Sequence, residues 1–263
     1  MALTYVYLTT TGAGNWTVPL DWNPNNNSIE VIGGGGNGGS GNYGHGGAGG
    51  GGGAYSKITN KILTPGGSVA YSVGGIIADT WFGNSVYASA YVGAKGGSSA
   101  SINAVNGVGG IAASGVGDTK YSGGNGGTAL KNDINGCSGG GGGGGAGLNG
   151  NGNTGVNGST AYAAGGSGGS GDNGSGGAGG TSNSVGGAGT EWESTRGSGG
   201  GGGGGWYSGF NGGAGGLYGA GGGGGYEFSN NSQRGSGGAG KQGIIVITYT
   251  PAVSNQANFL AFF

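Results

Sequence analysis

The sequence predicts a mainly β fold in which a small antiparallel β-sandwich carries a bundle of extended glycine helices, with essentially no α-helix. Three observations lead there. Several short segments alternate apolar and polar residues at period two, and no stretch carries a convincing helical period. Glycine fills 84 of the 263 positions, and over long blocks it recurs at every third residue. A strongly apolar strand pattern then returns at 242–250, after the glycine blocks have ended.

The period-two segments come first along the chain. In 68–73, Val69, Tyr71 and Val73 fall on one face and Ser68, Ala70 and Ser72 on the other. Segment 86–92 alternates in the same way, and 5–8, 16–18, 28–32, 55–59 and 99–104 are further strand candidates. Turn sequences such as Pro24-Asn-Asn-Asn and Pro65-Gly-Gly separate them. Trp16, Trp22 and Trp81 lie in this part and read as core or rim packing. Segment 242–250, Gln-Gly-Ile-Ile-Val-Ile-Thr-Tyr-Thr, has the continuous apolar character of a central strand buried on both faces. Paired with an early strand such as 28–32, it closes the sandwich across a long insertion. The organisation expected is therefore 1–105 plus 242–250 as the core and 106–241 as a glycine-rich insertion. An earlier instalment of the insertion stands at 33–53, and 251–263 forms an apolar tail.

The glycine blocks follow a rule. Positions 35, 38, 41, 44, 47, 50 and 53 are all Gly, as are 165, 168, 171, 174, 177 and 180, and again 213, 216, 219, 222 and 225. An extended left-handed threefold helix has this period. Collagen does not fit, because the chain has 4 prolines, the register breaks repeatedly, and the runs 139–145 and 199–205 are uninterrupted glycine. Helices without Cβ atoms can instead approach closely and bond laterally, giving each buried amide a partner. Ordering each glycine costs about 1–2 kcal/mol of backbone entropy, so the lattice has to be dense. A flexible Gly/Ser linker is the competing reading. A linker joins two self-sufficient domains, however, and here only one strand and a short tail follow residue 241.

Composition bounds the function. Leu, Ile, Val and Phe together number 40 of 263, which is poor for a core, yet the net charge of −1 is not that of a disordered chain. With 6 % charged residues there is no basic surface for nucleic acid. No apolar run approaches the roughly 20 residues that span a bilayer, and the N-terminus lacks a signal-peptide pattern. One cysteine, Cys137, and one histidine, His45, give no disulfide framework, and no metal or other cofactor is expected. Gly235–Gln242 comes close to a phosphate loop, but Gln stands where Ser or Thr must hold Mg²⁺ and a strand follows. Glu191 and Glu193 share a loop with Arg196 nearby, a solvated arrangement more than a glycosidase pair. No nucleophile and base stand together, so the chain is expected not to be an enzyme.

Aromatic residues between the glycine runs are the binding candidates: Trp192, Trp206, Tyr207, Phe210, Tyr218, Tyr226 and Phe228. Loop-borne Trp and Tyr dominate binding hot spots; the alternative is that these rings cover the lattice sides or seal it against the sandwich. The apolar end, with Phe259, Leu260, Phe262 and Phe263, reads as an assembly tail that docks into a neighbouring subunit or tucks back onto its own sandwich.

Thr11-Gly-Ala-Gly-Asn-Trp-Thr-Val-Pro19, Ile29-Glu-Val-Ile-Gly-Gly-Gly-Gly36, Leu63-Thr-Pro-Gly66, Tyr71-Ser-Val-Gly-Gly75 and Gly243-Ile-Ile-Val-Ile-Thr-Tyr249 together resemble the glycine-rich domain of many bacteriophage and prophage proteins. The likeness to the domain in the anaplastic lymphoma kinase receptor is more remote. The resemblance covers nearly the whole chain and implies a β-sandwich or jelly-roll core with polyglycine-II helices. Length and glycine content are similar to those of T-even-type tail-fibre adhesins. That likeness implies a virion protein in a homo-oligomeric assembly. Its partners would be other virion proteins and a host outer-membrane protein or surface glycan, with no nucleic acid and no membrane embedding. A virion structural or decoration protein is the alternative. The N-terminus departs from those adhesins in showing no obvious fibre-attachment element.

Overall fold

The computed structural model describes residues 2–42, 44–101, 105–130, 136–159, 163–181, 184–195, 197–205, 210–227 and 234–252. Nine strands form two antiparallel sheets among them. The strands are β1 (Thr4–Leu8), β2 (Gly12–Thr17), β3 (Asn27–Ile32), β4 (Tyr55–Thr59), β5 (Ser68–Val73), β6 (Thr80–Phe82), β7 (Val92–Ala94), β8 (Thr119–Tyr121) and β9 (Ile244–Tyr249). One sheet runs β1-β9-β3-β4-β8 and the other β2-β5-β6-β7.

The strand expected to be central is central. β9 lies between β1 and β3, with Ile245 opposite both Leu8 and Val31. Its odd residues Ile245, Ile247 and Tyr249 enter the core between the sheets with Ile29, Val31, Val69, Phe82 and Val92. Its even residues Ile244 and Val246 are buried on the opposite face with Ile32 and Tyr55. Trp16 packs edge-to-face on Trp22 and Phe82 at centroid distances of 5.6 and 5.7 Å, which places both early tryptophans in the core. Trp81 is a rim residue whose indole N–H donates to Asn84 O at 3.1 Å.

Two strand expectations fail. Segment 86–92 begins at an exposed Val86, turns through a short 3-10 helix at Tyr87–Ser89 and becomes extended in a sheet only at β7. Its alternating Ser and Ala bury too little area to hold a strand, and Tyr87 finds a better site. Its ring lies over Gly93, where a Cβ would come within 2.8 Å of it, and its hydroxyl donates to Ser114 O at 3.0 Å. Segment 99–104 is no strand over its described part: Ala100 N–H bonds Asn37 O in the glycine array, and 102–104 lie outside the described residues. Conversely β6 and β8 carry too few residues for a visible period, and β8 falls within 106–241.

The glycine segments form a lattice of antiparallel and parallel extended helices in which every third amide faces the same neighbour. Segment 137–147 shows the geometry fully. Amides 138, 141 and 144 donate to carbonyls 159, 156 and 153. Amides 139, 142 and 145 donate to 204, 201 and 198, and amides 140, 143 and 146 to 47, 50 and 53. Its carbonyls accept from amides 124 and 127, from 166 and 169, and from 221 and 224. Six neighbours therefore surround it, and no face is left for a side chain. A Cβ at Gly142 would lie 2.2 Å from Gly221 O. Segments 46–54, 197–205 and 219–227 are enclosed in the same manner.

This explains the two glycine patterns. The uninterrupted runs 49–53, 139–145, 199–205 and 221–225 belong to the enclosed segments, whereas segments at the edge keep glycine only where they face a neighbour. Segment 163–171, for example, turns Ser167 outward, beside the buried Gly166 and Gly169. At the lattice surface, side chains replace missing neighbours. Asn125 Oδ1 accepts from Gly109 N–H at 2.8 Å, Asn157 Oδ1 from Thr128 at 2.9 Å, and Asn37 Oδ1 from Gly240 at 2.9 Å.

Candidate functional site

The lattice has a sandwich end and a far end. Segments leave the sheets after β3, β7 and β8 and return before β4 and β9. Hence the ends of 33–41 and 46–54, of 197–205 and 210–217, and of 219–227 and 234–243 come together at the far end, away from the sheets. Of the seven aromatic candidates, Trp206, Tyr207 and Phe228 lie outside the described residues. The assembly-tail candidates Phe259, Leu260, Phe262 and Phe263 also lie outside them.

The four described aromatics divide between the two ends. Trp192 and Tyr218 sit at the sandwich end, packed on the outer face of the five-stranded sheet against the Ile32, Tyr55 and Val246 cluster. Their rings meet edge-to-face at 6.0 Å, and Tyr7 of β1 meets Trp192 at 6.2 Å. Glu191 anchors this loop by accepting from Leu217 N–H at 2.7 Å, while Trp192 N–H donates to Leu217 O. Half-buried Trp192 and Tyr218 thus seal lattice to sheet. Glu30, on the same face, pairs with Lys57 at 3.1 Å and accepts from Tyr55 OH at 2.8 Å. Burial, reinforced by the Glu30 carboxylate, pushes the Tyr55 phenol far above its ordinary range. A cleft beside this pair is lined by Glu30, Tyr55, Leu148, Trp192 and Glu193.

Phe210 and Tyr226 stand at the far end, 6.0 Å apart. Tyr226 is 1 % exposed, so it plugs the lattice and offers no contact surface; Phe210 is half-buried beside it. Next to them is a residue that pattern reading did not flag. Glu227 is fully buried, with Oε2 accepting from Gly44 N–H at 3.0 Å and Oε1 without a partner. Its backbone bridges Cys137 on one side and Arg234 on the other, and Cys137 Sγ lies 3.8 Å from Gly44 O. Burial raises the Glu227 carboxyl above its usual range, opposed by the Gly44 amide and by Arg234. A lone Glu inside a glycine-flanked aromatic segment was the available signal.

Other sequence motifs resolve into lattice parts. In 235–242 the amides of Gly235, Gly238 and Lys241 donate to Tyr226, Gly223 and Ala220, and those of Ser236 and Gly240 to the side chains of Asn211 and Asn37, so the stretch is tied into the lattice as one of its segments. Gln242 donates through its side chain to Thr9 O. Asp172 ties the sandwich-end turns together, accepting from Asn149 N–H at 2.8 Å, from Asn173 N–H at 2.8 Å and from Gly197 N–H. Among the described residues no group of three or more His, Cys, Asp or Glu is placed to hold a metal. No described helix is long and apolar enough to cross a membrane.

Comparison with known proteins adds the family. No curated protein matches the chain. The family model described as a glycine-rich domain matches residues 9–250, a span that takes in both sheets from β2 to β9 and every lattice segment. The chain belongs to the glycine-rich domain family.

Proposed function

We propose that the chain is a non-enzymatic bacteriophage virion protein, a tail-fibre or tail-tip adhesin that recognises a host surface. The observation that carries the reading is the polarity of the lattice. A nearly uncharged scaffold, bonded laterally through its backbone, brings the ends of 197–205, 210–217, 219–227 and 234–243 together on the side away from the sheets. Such an array is a fixed frame from which side chains of any type can be presented. The connections at 206–209 and 228–233 carry Trp206, Tyr207 and Phe228, residue types that supply rigid contact area at low entropic cost. The resemblance to phage glycine-rich domains supports the same reading.

Exchanging 206–209 and 228–233 for Gly/Ser sequence tests it. Phage carrying the exchanged protein should assemble normally but lose adsorption to its host. Normal adsorption, or antibody labelling confined to capsid faces, contradicts the adhesin role. The sandwich favours a second reading, a virion structural component, through one feature. Leu20 and Ile62, on turns at the end of the sandwich away from the lattice, are 85 % and 79 % exposed, a surface suited to a neighbouring protein.

A further inference from the structure

The four sheet edges differ in how well they are blunted. An open edge strand is a template for another strand, and charge, short length, glycine or a covering segment normally protects it. β8 has three residues and carries Lys120. β7 is covered by a bridge from Val116, with bonds of 2.9 and 2.8 Å to and from Gly93. β2 contains Gly12, at φ 104°, and Gly14. Among the described residues β1 has none of these devices. Its sequence is Thr-Tyr-Val-Tyr-Leu, it pairs with β9 along all of Thr4–Leu8, and among the described residues no backbone bond reaches its other side.

The side chains of β1 suit a copy of itself. Tyr5 and Tyr7 share the outer face, are 50 % and 47 % exposed, and stack at 6.4 Å with an interplanar angle of 7°. Val6 and Leu8 point the other way, into the core. The strand is nearly symmetrical about Val6, with tyrosine on either side and no charge that would meet its like across a twofold axis.

We propose that β1 pairs antiparallel with β1 of a second copy about a twofold axis at Val6, joining two five-stranded sheets into one. Tyr5 then stands opposite the partner's Tyr7 on the outer face, giving two cross-strand aromatic pairs. The proposal does not depend on the adhesin reading. Sedimentation of the full chain should show a dimer at concentrations up to about 100 µM, weakened at least about tenfold in the double variant Tyr5→Lys/Tyr7→Lys. An unchanged far-UV spectrum and a cooperative melting transition would show that the variant is folded. The register has its own test, which also serves if the lysine variant does not fold. Tyr5→Cys chains mixed with Tyr7→Cys chains should form a mixed disulfide in preference to either self-disulfide. A wild-type chain that stays monomeric, a folded lysine variant that dimerises undiminished, or cross-linking without preference for the mixed pair overturns the proposal.

Discussion

Phe82 and Ile247 are buried in the sandwich because their side chains fill the space between two sheets, whereas Gly142 is buried in the lattice because it has no side chain at all. In the first region the backbone bonds within sheets and side chains supply the cohesion. In the second, backbone amides bond to neighbours in several directions, and most side chains stay at the edge. The difference teaches that a chain with few large apolar residues can still exclude water from a large interior. It needs segments that approach to backbone contact and bond their amides to one another.

The contrast should appear most strongly at Gly142. Gly142→Ala places a methyl 2.2 Å from Gly221 O, and six bonded neighbours prevent local relief. We expect a loss of about 5 kcal/mol or more in urea unfolding, beyond the usual range for a single substitution. Phe82→Ala removes the opposite kind of support and should cost about 3–5 kcal/mol by the same measurement. If Gly142→Ala were the milder change, the lattice would be far looser than its bonding implies.

Glu227 sharpens the comparison through pH. Its carboxyl is raised in the folded chain by burial, above a reference value of 4.5. Protonation is therefore favoured more in the folded than in the unfolded state, and the folded state binds more protons between the two values. This residue's contribution to stability is accordingly most favourable below about 4.5 and declines as pH rises through the folded value. Glu227→Gln should remove that decline and stabilise the chain at neutral pH relative to wild type. Melting curves of both proteins from acid to neutral pH give the difference directly; parallel curves would contradict the assignment.

The smallest effects belong to the lattice surface. Asn125→Ala leaves Gly109 N–H, now bonded at 2.8 Å, to water and should cost about 0.5–1 kcal/mol. Ser167→Ala, on an exposed position, should stay within about 0.5 kcal/mol of wild type. Chemical unfolding of the pair separates a side chain that replaces a neighbour from one that only faces solvent.

Much of this architecture was legible in the residues. The continuous apolar character of 242–250 announced a strand buried on both faces, and β9 is one. Period-three glycine announced threefold helices, because each turn returns the same position to the same neighbour. What the period did not reveal is that the chain folds back within it. Gly41, Gly44 and Gly47 keep the spacing across the reversal at Asn42 and His45, whose amides and carbonyls bond each other at 2.9 and 2.7 Å. The alternation of Val86, Ala88, Ala90 and Val92 with Tyr87, Ser89 and Tyr91 misled because the small residues at its centre satisfy period two without burying much. The role of Trp192 and Tyr218 was open for a related reason: an aromatic between glycine runs has the same sequence signature whether it seals two layers or faces solvent. Glu227 gave little local signal because its burial depends on Gly44 and Cys137, which are distant in sequence.

Native-state amide hydrogen exchange over Gly139–Gly145 tests the central claim most directly. The account predicts protection of these glycine amides comparable to that of Ile245–Ile247 in β9, since each is enclosed and bonded to a neighbouring segment. Exchange at the rate of an unstructured glycine chain, with β9 still protected, would show that the lattice does not hold and would contradict the account.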